Sequence, residues 1–225
     1  MAGPATEADA VSVAREQILA RLRNTLDQGQ PRSSLVDQRL QEHRQGPQPA
    51  WTEALRDRFC GKLQAAAGSL VRVADGQQLV AAVTDYLRAQ SLPPELLLAP
   101  DPRLDGLPWP SDLTLLRGPA GGERVGLSWA LAGIAETGSL VLASGPYTPT
   151  ALNFLVDDFL CVLPIERLVP HMEDVWQLVR SELGGPPRAL NLITGPSRTA
   201  DVEQTIQLGA HGPRRLHILL WDGGD

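Results

Sequence analysis

The sequence predicts a three-layer α/β/α fold with a mostly parallel sheet, preceded by an N-terminal helical arm. Short apolar runs that Gly and Pro bracket alternate with segments in which apolar residues recur at helical spacing. The runs at 140–143 and 159–163 are continuously apolar, as expected for strands that are covered on both faces. Strands and helices that alternate in this way favour helices packed on both sides of one sheet. We place the helical arm and its linker at residues 1–67 and the α/β domain at residues 68–225.

The arm is predicted to hold two helices joined by a polar segment. The first helix has one apolar face, and Gly29 is a plausible stop. The segment 30–49 is polar and contains prolines, which favours a linker with at most one short turn. A second helix is predicted from Thr52, a candidate N-cap, to Gly68, and we expect both helices to pack on the main domain or on another subunit. The two apolar faces consist of Val11, Ala14, Ile18, Leu22 and Leu26, and of Trp51, Leu55, Phe59, Leu63 and Ala66.

The α/β domain alternates between predicted strands and predicted helices. Pro170 is expected to kink the helix that follows Ile165 or to split off its first turn. The segment 127–134 fits a helix or an irregular structure, and both interpretations remain open. Strands are predicted at 70–73, 96–99, 113–116, 140–143, 159–163, 190–193 and 216–220, and helices at 75–87, 165–183 and 200–208. The inward side chains of the 165–183 helix are expected to be Val175, Trp176, Val179 and Leu183.

Composition excludes several classes of partner. The formal net charge is −6 and aromatic residues make up only 4% of the chain, which disfavours nucleic acid and anionic membranes. A hydrophobic content of 43% indicates a globular protein. No apolar run approaches the roughly 20 residues that a membrane span requires, and no secretory signal is recognisable. We therefore expect a cytoplasmic protein.

The two cysteines, Cys60 and Cys161, lie far apart in apolar segments and are predicted to be buried free thiols. Separated thiols of this kind suit a reducing cytoplasm better than a disulfide framework. An iron–sulfur cluster typically needs about four thiolates, so none is expected in this chain. The sequence also lacks GxGxxG after a strand, a P-loop, CxxC and HExxH, so the cofactor stays unassigned and no metal site is predicted.

The stretch 190–203 is the most informative part of the sequence, because an apolar run ends in Thr-Gly-Pro-Ser and a helical pattern starts at once. In an open parallel sheet such a junction lies at the carboxyl edge, where free N–H groups and the helix dipole attract anions. Hydroxyls and the Arg198 guanidinium favour an anionic ligand or an acidic partner side chain, although Asp201 and Glu203 partly offset this charge. The alternative is a plain turn in which Ser197 is only the helix N-cap. The candidate ligand-binding residues are Thr194, Gly195, Pro196, Ser197, Arg198 and Asp201.

A second candidate turn precedes the predicted strand at 140–143. Gly138 permits a positive φ angle or a close approach by a ligand. Glu136 is the candidate catalytic residue, because a carboxylate at the mouth of a sheet can act as a base, a nucleophile or a metal ligand. The alternative is a tight turn whose Glu136 points to solvent. The candidate ligand-binding residues of this turn are Thr137, Gly138 and Ser139.

A third turn, Gly-Ala-His-Gly-Pro, leads into the last predicted strand. His211 can titrate near neutral pH, but a histidine in such a turn is more often structural. His211 and Gly212 complete the set of candidate ligand contacts. Arg214 and Arg215 are expected to be solvated.

Other polar residues are predicted to have structural surroundings. Asp157 and Asp158 are expected to form a solvated turn, because successive strand residues point to opposite faces and seldom bind one ion. His171 and Trp176 are interpreted as residues on a helix face. His217 alternates with apolar residues in the last strand and is expected to face the outer layer.

Three stretches together resemble one family. They are GIAETGSLV at 133–141, LITGPSRTADVE at 192–203 and LGAHGPR at 208–214. Their order and spacing are similar to those of the LUD domain, most closely the lactate-utilisation protein C group, over roughly residues 125–221. The resemblance implies a fold like that of the ribose-5-phosphate isomerase, glucosamine-phosphate deaminase and CoA-transferase superfamily. Members of that superfamily use a glutamate at a comparable turn, which makes Glu136 the first residue to test.

The resemblance also implies a function. It predicts a non-redox subunit of a bacterial system that oxidises L-lactate to pyruvate, together with an iron–sulfur subunit and a third subunit. This chain would bind a small carboxylate or phosphate, or its partner, in a crevice between the Glu136 turn and the 194–198 turn. An alternative is a stand-alone isomerase or CoA- or acyl-transferase-like enzyme with Glu136 as base or nucleophile. A third possibility is an assembly or regulatory module, and fold analogy alone does not decide among them.

Overall fold

The computed structural model describes residues 7–27, 32–43, 45–118, 124–199, 207–209 and 211–223. Contacts divide the chain into two compact units, residues 1–47 and residues 48–225. The helices are α1 (Glu7–Asp27), α2 (Arg32–Glu42), α3 (Leu55–Ala65), α4 (Gly76–Ala89), α5 (Pro102–Asp105), α6 (Leu152–Leu155) and α7 (Met172–Leu183). The strands are β1 (Ser69–Val73), β2 (Glu95–Leu98), β3 (Thr114–Leu116), β4 (Val125–Trp129), β5 (Ala132–Ile134), β6 (Ser139–Ala143), β7 (Asp158–Pro164), β8 (Leu168–Val169), β9 (Leu190–Ile193), β10 (Arg198–Thr199), β11 (Gln207–Leu208) and β12 (Arg215–Trp221).

The first unit contains α1 and α2. The predicted first helix is confirmed, while Gly29 lies outside the described residues and the side chains of Val11 and Ala14 are likewise not described. The prediction of a linker at 30–49 is wrong for its first part, because α2 occupies Arg32–Glu42. Apolar residues at helical spacing explain this helix. The exposed large apolar side chains of the two helices are Ile18, Leu22, Leu26, Leu35, Val36 and Leu40.

Six parallel strands form the main sheet of the second unit, in the order β1-β12-β7-β4-β2-β3. Every residue of β4 and β7 is buried, which explains why these strands are continuously apolar or nearly so. The prediction of an α/β protein with a mostly parallel sheet is confirmed. The open interpretation of 127–134 as helix or irregular structure is wrong, because these residues end β4 and form β5.

A second, mixed sheet has the order β8-β5-β6-β9. The predicted strands at 140–143 and 190–193 exist, but they pair antiparallel in this smaller sheet and not in the main one. β5 pairs antiparallel with β6 and parallel with β8. β10 and β11 form a separate antiparallel pair, so the predicted helix at 200–208 is wrong at its end, and residues 200–206 lie outside the described part.

Helix α7 begins later than predicted. The residues after Ile165 form a short 3-10 turn and then β8, and α7 begins at Met172 with His171 as N-cap. Pro170 thus separates the first turn from the helix, which is one of the two effects predicted for this proline. Val175 and Val179 are buried as predicted. Trp176 and Leu183 were predicted to face inward and are instead half-exposed, because they lie outside the stripe that faces β5 and β8.

Helix α3 belongs to the core of the α/β unit. Its N-cap is Ala54 rather than the predicted Thr52. Phe59 and Leu63 are fully buried, and α3 contacts both β1 and β8. Residues 48–67 therefore share their contacts with the α/β unit. The boundary between an arm at 1–67 and a domain at 68–225 stays a prediction.

A buried polar network closes the amino edge of the main sheet. Asp158, the first residue of β7, is fully buried and accepts two hydrogen bonds from the Arg215 guanidinium and one from the Tyr86 hydroxyl at 2.5 Å. The Tyr86 ring lies 4.7 Å from the ring of His217, whose Nδ1 is 2.8 Å from the Ser69 hydroxyl. The expected solvated turn at 157–158 is thus wrong for Asp158, and Arg215 is not simply solvated.

Truncation of Leu63 tests the inclusion of α3 in the core. We expect Leu63→Ala to lower the free energy of unfolding by roughly 2–5 kcal/mol, because it leaves a cavity in a fully packed position. Leu155→Ala is the matched control, since Leu155 is 66% exposed, and it should cost no more than about 0.5 kcal/mol. Urea unfolding measures the free energy of unfolding of both variants. Equal losses in the two variants would show that α3 does not belong to the core.

Burial of His217 predicts a loss of stability in acid. Burial lowers the pKa of His217 to about 4, whereas an unfolded histidine titrates near 6.5. The unfolded chain therefore binds a proton that the folded protein does not, and stability falls as the pH falls from about 6.5 to about 4. Between pH 7.5 and pH 5.0 this loss is about 2 kcal/mol.

Urea unfolding of the wild-type protein and of His217→Gln at pH 7.5 and pH 5.0 measures this contribution. The variant should lose less stability than the wild-type protein over that interval. An identical pH dependence in the two proteins would show that His217 does not titrate as its burial predicts.

Candidate functional site

The two predicted turns meet in the structure, and we call residues 136–139 and 194–198 the turn junction. β6 begins at Ser139 and pairs antiparallel with β9, so the turn before β6 and the turn after β9 lie at the same end of the small sheet. The hydroxyls of Ser139 and Thr194 are 2.5 Å apart, and those of Thr137 and Ser139 are 2.6 Å apart. Either oxygen of each pair can donate. A chain of hydroxyls thus joins the two turns.

Both turns contact the C-terminal end of α3. In each turn the contact is made by a glycine whose backbone has a left-handed φ. Gly138 has a φ of 71° and Gly195 a φ of 73°. A Cβ atom on Gly138 would overlap the backbone nitrogen of Leu63, and one on Gly195 would overlap the carbonyl oxygen of Ala66. Arg198 Nη2 donates to that same Ala66 oxygen at 3.0 Å. The guanidinium therefore satisfies a carbonyl at a helix C-terminus, where a cation is favourable.

Glu136 lies at the N-terminal end of α7. Its backbone N–H donates to the carbonyl of Pro170 at 3.0 Å, and its Oε2 accepts from the N–H of Met172 at 3.3 Å. The same Oε2 lies 3.5 Å from His171 Nδ1, within ion-pair reach if the imidazole is protonated. A helix N-terminus favours a carboxylate at this position. Glu136 therefore does not simply point to solvent, since its side chain is 28% exposed and holds the start of α7.

Trp51 lies next to His171, which is close to the Glu136 carboxylate. Arg58 in turn lies next to Trp51. The sequence analysis did not predict these side chains as part of the site. The rings of Trp51 and His171 are 4.6 Å apart, and the Arg58 guanidinium lies 4.1 Å from the centre of the Trp51 ring. His171 Nδ1 is buried and has no hydrogen-bond partner among the described residues. One signal was available in the sequence. Asp174 follows His171 by three positions and accepts its backbone N–H at 2.8 Å, which is the pattern of a helix start.

The turn junction does not lie at the carboxyl edge of the main sheet. Ser197 donates its backbone N–H to the Pro213 carbonyl at 2.8 Å, and Gly212 lies close to the Ser197 side chain. Pro213 precedes β12, and Ala66, which the junction contacts, precedes β1, so the junction lies beside the amino ends of these strands. The predicted location is wrong because β9 belongs to the small sheet. Ser197 is also not a helix N-cap, because β10 follows it.

The remaining predicted ligand contacts differ in their exposure and in their distance from the 194–198 turn. His211 is exposed, and Gly212 approaches the 194–198 turn. Asp201 lies outside the described residues. Thr137 and Ser197 are partly buried, and Thr194 and Arg198 are exposed. The assignment of these residues as ligand contacts stays a prediction.

The carboxyl edge of the main sheet is instead occupied by a cleft of about 1120 Å³. Trp129, Pro164 and Trp221, which end β4, β7 and β12, line it together with Arg103, which follows β2. We call this the carboxyl-edge cleft. No residue of the turn junction lines it. The sequence offered no signal for these residues, because they come from four separate segments that only the sheet order brings together.

The described residues limit the chemistry. A half-buried carboxylate beside an imidazole can exchange a proton, and hydroxyls with a guanidinium can bind an oxyanion. Within the ranges that the structure describes, no three His, Cys, Asp or Glu side chains are grouped so that they could hold a metal ion. Over the same described ranges, no helix is both long enough and apolar enough to cross a membrane.

Comparison with known proteins finds similarity to one family over the second half of the chain. Residues 115–221 match the family model described as LUD domain. A protein of Neisseria meningitidis, named only as uncharacterized, is 37% identical over 94 residues, which are 42% of this chain and 40% of that protein. The lactate utilization protein C of Anoxybacillus flavithermus is 30% identical over 100 residues, 44% of each chain. That of Geobacillus kaustophilus is 30% identical over 126 residues, 50% of this chain and 52% of that protein. The matched segments thus span about half or less of the relatives' length.

A solved structure supports the fold. The crystal structure of a DUF162 family protein from Deinococcus radiodurans superposes with a TM-score of 0.56 at 18% sequence identity. The match covers 77% of this chain and 99% of that one. At this identity the likeness concerns the fold alone.

Replacement of Gly138 tests the contact between the turn junction and α3. We expect Gly138→Ala to destabilise the protein by about 3 kcal/mol or more, since an L-residue there costs roughly 1–2 kcal/mol for its φ and also overlaps the α3 backbone. Gly184→Ala is the matched control, because Gly184 has a φ of 69° but faces open space. The control should lose only the cost of its φ. Thermal and urea unfolding compare the two, and equal losses would show that the close approach to α3 is unimportant.

Proposed function

We propose that this chain, whose residues 115–221 match the LUD domain model, is the subunit without a redox centre in an L-lactate oxidation system. The relatives named lactate utilization protein C support the proposal. The whole protein's substrate and partners are part of the proposal, since the matched segments span only about half of those relatives. The proposed partners are an iron–sulfur subunit and a third subunit. We also infer kinship with the ribose-5-phosphate isomerase, glucosamine-phosphate deaminase and CoA-transferase folds, which the parallel sheet supports.

The chemistry of the two cysteines fits a subunit without an iron–sulfur cluster. Cys161 is fully buried, and burial raises the pKa of its thiol far above the ordinary value. Burial also raises the pKa of the Cys60 thiol. Two cysteines are also fewer than the roughly four thiolates that an iron–sulfur cluster typically needs, so we assign such a cluster to the partner.

The observation that carries the proposal is the position of the turn junction inside the LUD domain. Both turns fall within the matched segment, and the hydroxyl contact between Ser139 and Thr194 holds them together. The junction offers a carboxylate, hydroxyls and a guanidinium at a partly accessible surface. We assign to this surface the binding of a small carboxylate or phosphate, or of an acidic side chain of the iron–sulfur partner, with Arg198 as the principal cation.

One geometric observation favours a second candidate. The Glu136 carboxylate and the His171 imidazole lie within 3.5 Å of each other at a partly accessible site. Such a pair is suited to proton transfer, so a stand-alone isomerase or CoA- or acyl-transferase-like enzyme with Glu136 as base or nucleophile is the alternative.

Reconstitution separates the two candidates. The isolated chain should not oxidise lactate, whereas a mixture with the iron–sulfur and third subunits of its host should do so. Arg198→Ala should lower the rate of the mixture or its assembly affinity by about 10-fold, the effect of losing one charged hydrogen bond. Glu136→Gln keeps an acceptor for the Met172 N–H and should have a smaller effect on assembly. Arg88→Ala is the control, since Arg88 is 75% exposed on α4 and pairs only with Asp85 among described residues.

Two results would decide against the subunit proposal. One is that three mixtures oxidise lactate equally well: the mixture with the wild-type chain, the mixture with Arg198→Ala and the mixture without this chain. The other is turnover of a sugar phosphate or an acyl-CoA by the isolated chain that Glu136→Gln abolishes, which would establish the second candidate.

A further inference from the structure

The carboxyl-edge cleft lies where an α/β sheet is best placed to bind a ligand. Along the chain, β2 is followed by β3 on one side, and β4 then lies on the other side of β2. The order of the sheet therefore reverses between β2 and β4, and such a point opens a crevice outside the carboxyl ends of the strands. Arg103 follows β2 and Trp129 ends β4, so both flank this crevice. The position is independent of the turn junction.

A residue that lines the cleft carries a buried hydrogen-bond donor without an acceptor. Trp129 is only 8% exposed, and its Nε1 is shielded from solvent without a partner among the described residues. A buried donor left in this state is unfavourable, and an acceptor from a ligand would remove that cost. The polar contact of Trp109 shows the contrast, since its Nε1 donates to the Leu104 carbonyl at 2.8 Å.

A cation lies on the same indole ring. The Arg103 guanidinium is 4.3 Å from the centre of the Trp129 ring. Its position is fixed by Asp101, whose carboxylate is nearly buried and accepts from Arg103 Nη2 at 2.6 Å and from Nε at 3.0 Å. Both residues line the cleft, and a negatively charged oxygen is an acceptor that suits an indole N–H and a guanidinium alike.

The charges of the cleft limit the ligand to a modest negative charge. Arg167 is paired with Glu182 through contacts of 2.8 and 2.6 Å and also donates to the Leu131 carbonyl. Glu166 adds a further acid to the lining. Since Asp101 and Glu182 already neutralise the two arginines, a polyphosphate would meet no surplus of positive charge.

The remaining walls favour a flat, apolar body. The rings of Trp129 and Trp221 are 6.0 Å apart and tilted by 55°, and Tyr147 is 54% exposed at the cleft. Prolines complete the lining. Sites for drug-sized ligands measure roughly 300–1,000 Å³, so a three-carbon acid such as lactate would leave most of the cleft to water. Aromatic walls of this kind pack against planar groups.

We propose that the carboxyl-edge cleft binds an organic anion with a planar ring, whose carboxylate or phosphate oxygen accepts from Trp129 Nε1 and Arg103 while its ring packs on Trp221. This site goes beyond the function assigned to the turn junction and shares no lining residue with it.

Nuclear magnetic resonance on the full chain tests the proposal directly. The chain has five tryptophans, and the indole N–H signal lost in Trp129→Phe identifies that of Trp129. The probes are 3-phenyllactate, phenyl phosphate, L-lactate, which lacks the ring, and benzyl alcohol, which lacks the anion. We expect one or both anionic aromatic probes to shift the Trp129 signal with a dissociation constant of about 1 mM or tighter. L-Lactate and benzyl alcohol should bind at least about 10-fold more weakly.

Variants and outcomes complete the test. Trp129→Phe keeps the ring but removes the N–H and should weaken binding of the anionic aromatic probe by about 10-fold or more. Trp176→Phe is the matched control on α7 and should leave affinity unchanged. Binding of 3-phenyllactate alone supports a carboxylate, and binding of phenyl phosphate alone a phosphate. The proposal is overturned if neither anionic aromatic probe moves the wild-type Trp129 signal, if L-lactate binds as tightly, or if folded Trp129→Phe binds with wild-type affinity. None of these results depends on lactate oxidation by the reconstituted mixture.

Discussion

The α/β unit is organised around the direct contact between two glycine turns and the C-terminal end of α3. Gly138 and Gly195 have positive φ angles and no Cβ atom, so each turn can approach the helix backbone at Leu63 and Ala66. Arg198 adds a hydrogen bond to the same helix end. This contact explains why α3 shares the core with the main sheet, and it fixes the end of the small sheet beside the amino ends of β1 and β12. The carboxyl edge of the main sheet lies away from this contact and holds the cleft.

Five of the six strands of the main sheet were predicted from the sequence, because a strand covered on both faces is mostly apolar, while β4, which contains Gly126 and Ser128, was not predicted. The run at 159–163 is of this kind, the run at 216–220 is apolar except for His217, and both belong to the parallel sheet. The run at 140–143 is also continuously apolar and the run at 190–193 is apolar except for Asn191, but these two pair in the small sheet. Apolar content reports burial and does not report the strand partner, so their place could not be predicted. The helix predicted at 200–208 failed at its end because local periodicity gave no account of the β10–β11 pairing.

The candidate site was predicted in part for the same reason. The glycines and hydroxyls of the two turns signalled a close approach, and the Ser139–Thr194 contact brings them together. Their place in the molecule depends on sheet membership, which composition does not specify. His171 could not be predicted as part of the site, because its position depends on where α7 begins. Trp129 could not be predicted as part of the carboxyl-edge cleft, because Arg103, its neighbour in space, lies in a different segment of the chain.

The buried pair at the start of β7 and β12 has a consequence for how these strands choose their alignment. β7 is buried throughout, and β12 is largely apolar after its first residue, so hydrophobic contact alone would tolerate a shift of one strand along the other. Asp158 and Arg215 are directly opposite each other in the parallel ladder. A slip of one residue would separate them and leave a carboxylate without its counter-ion inside the protein, at a cost of several kcal/mol. The pair therefore fixes the register of β7 and β12, and it selects one alignment from several that hydrophobic contact alone would allow.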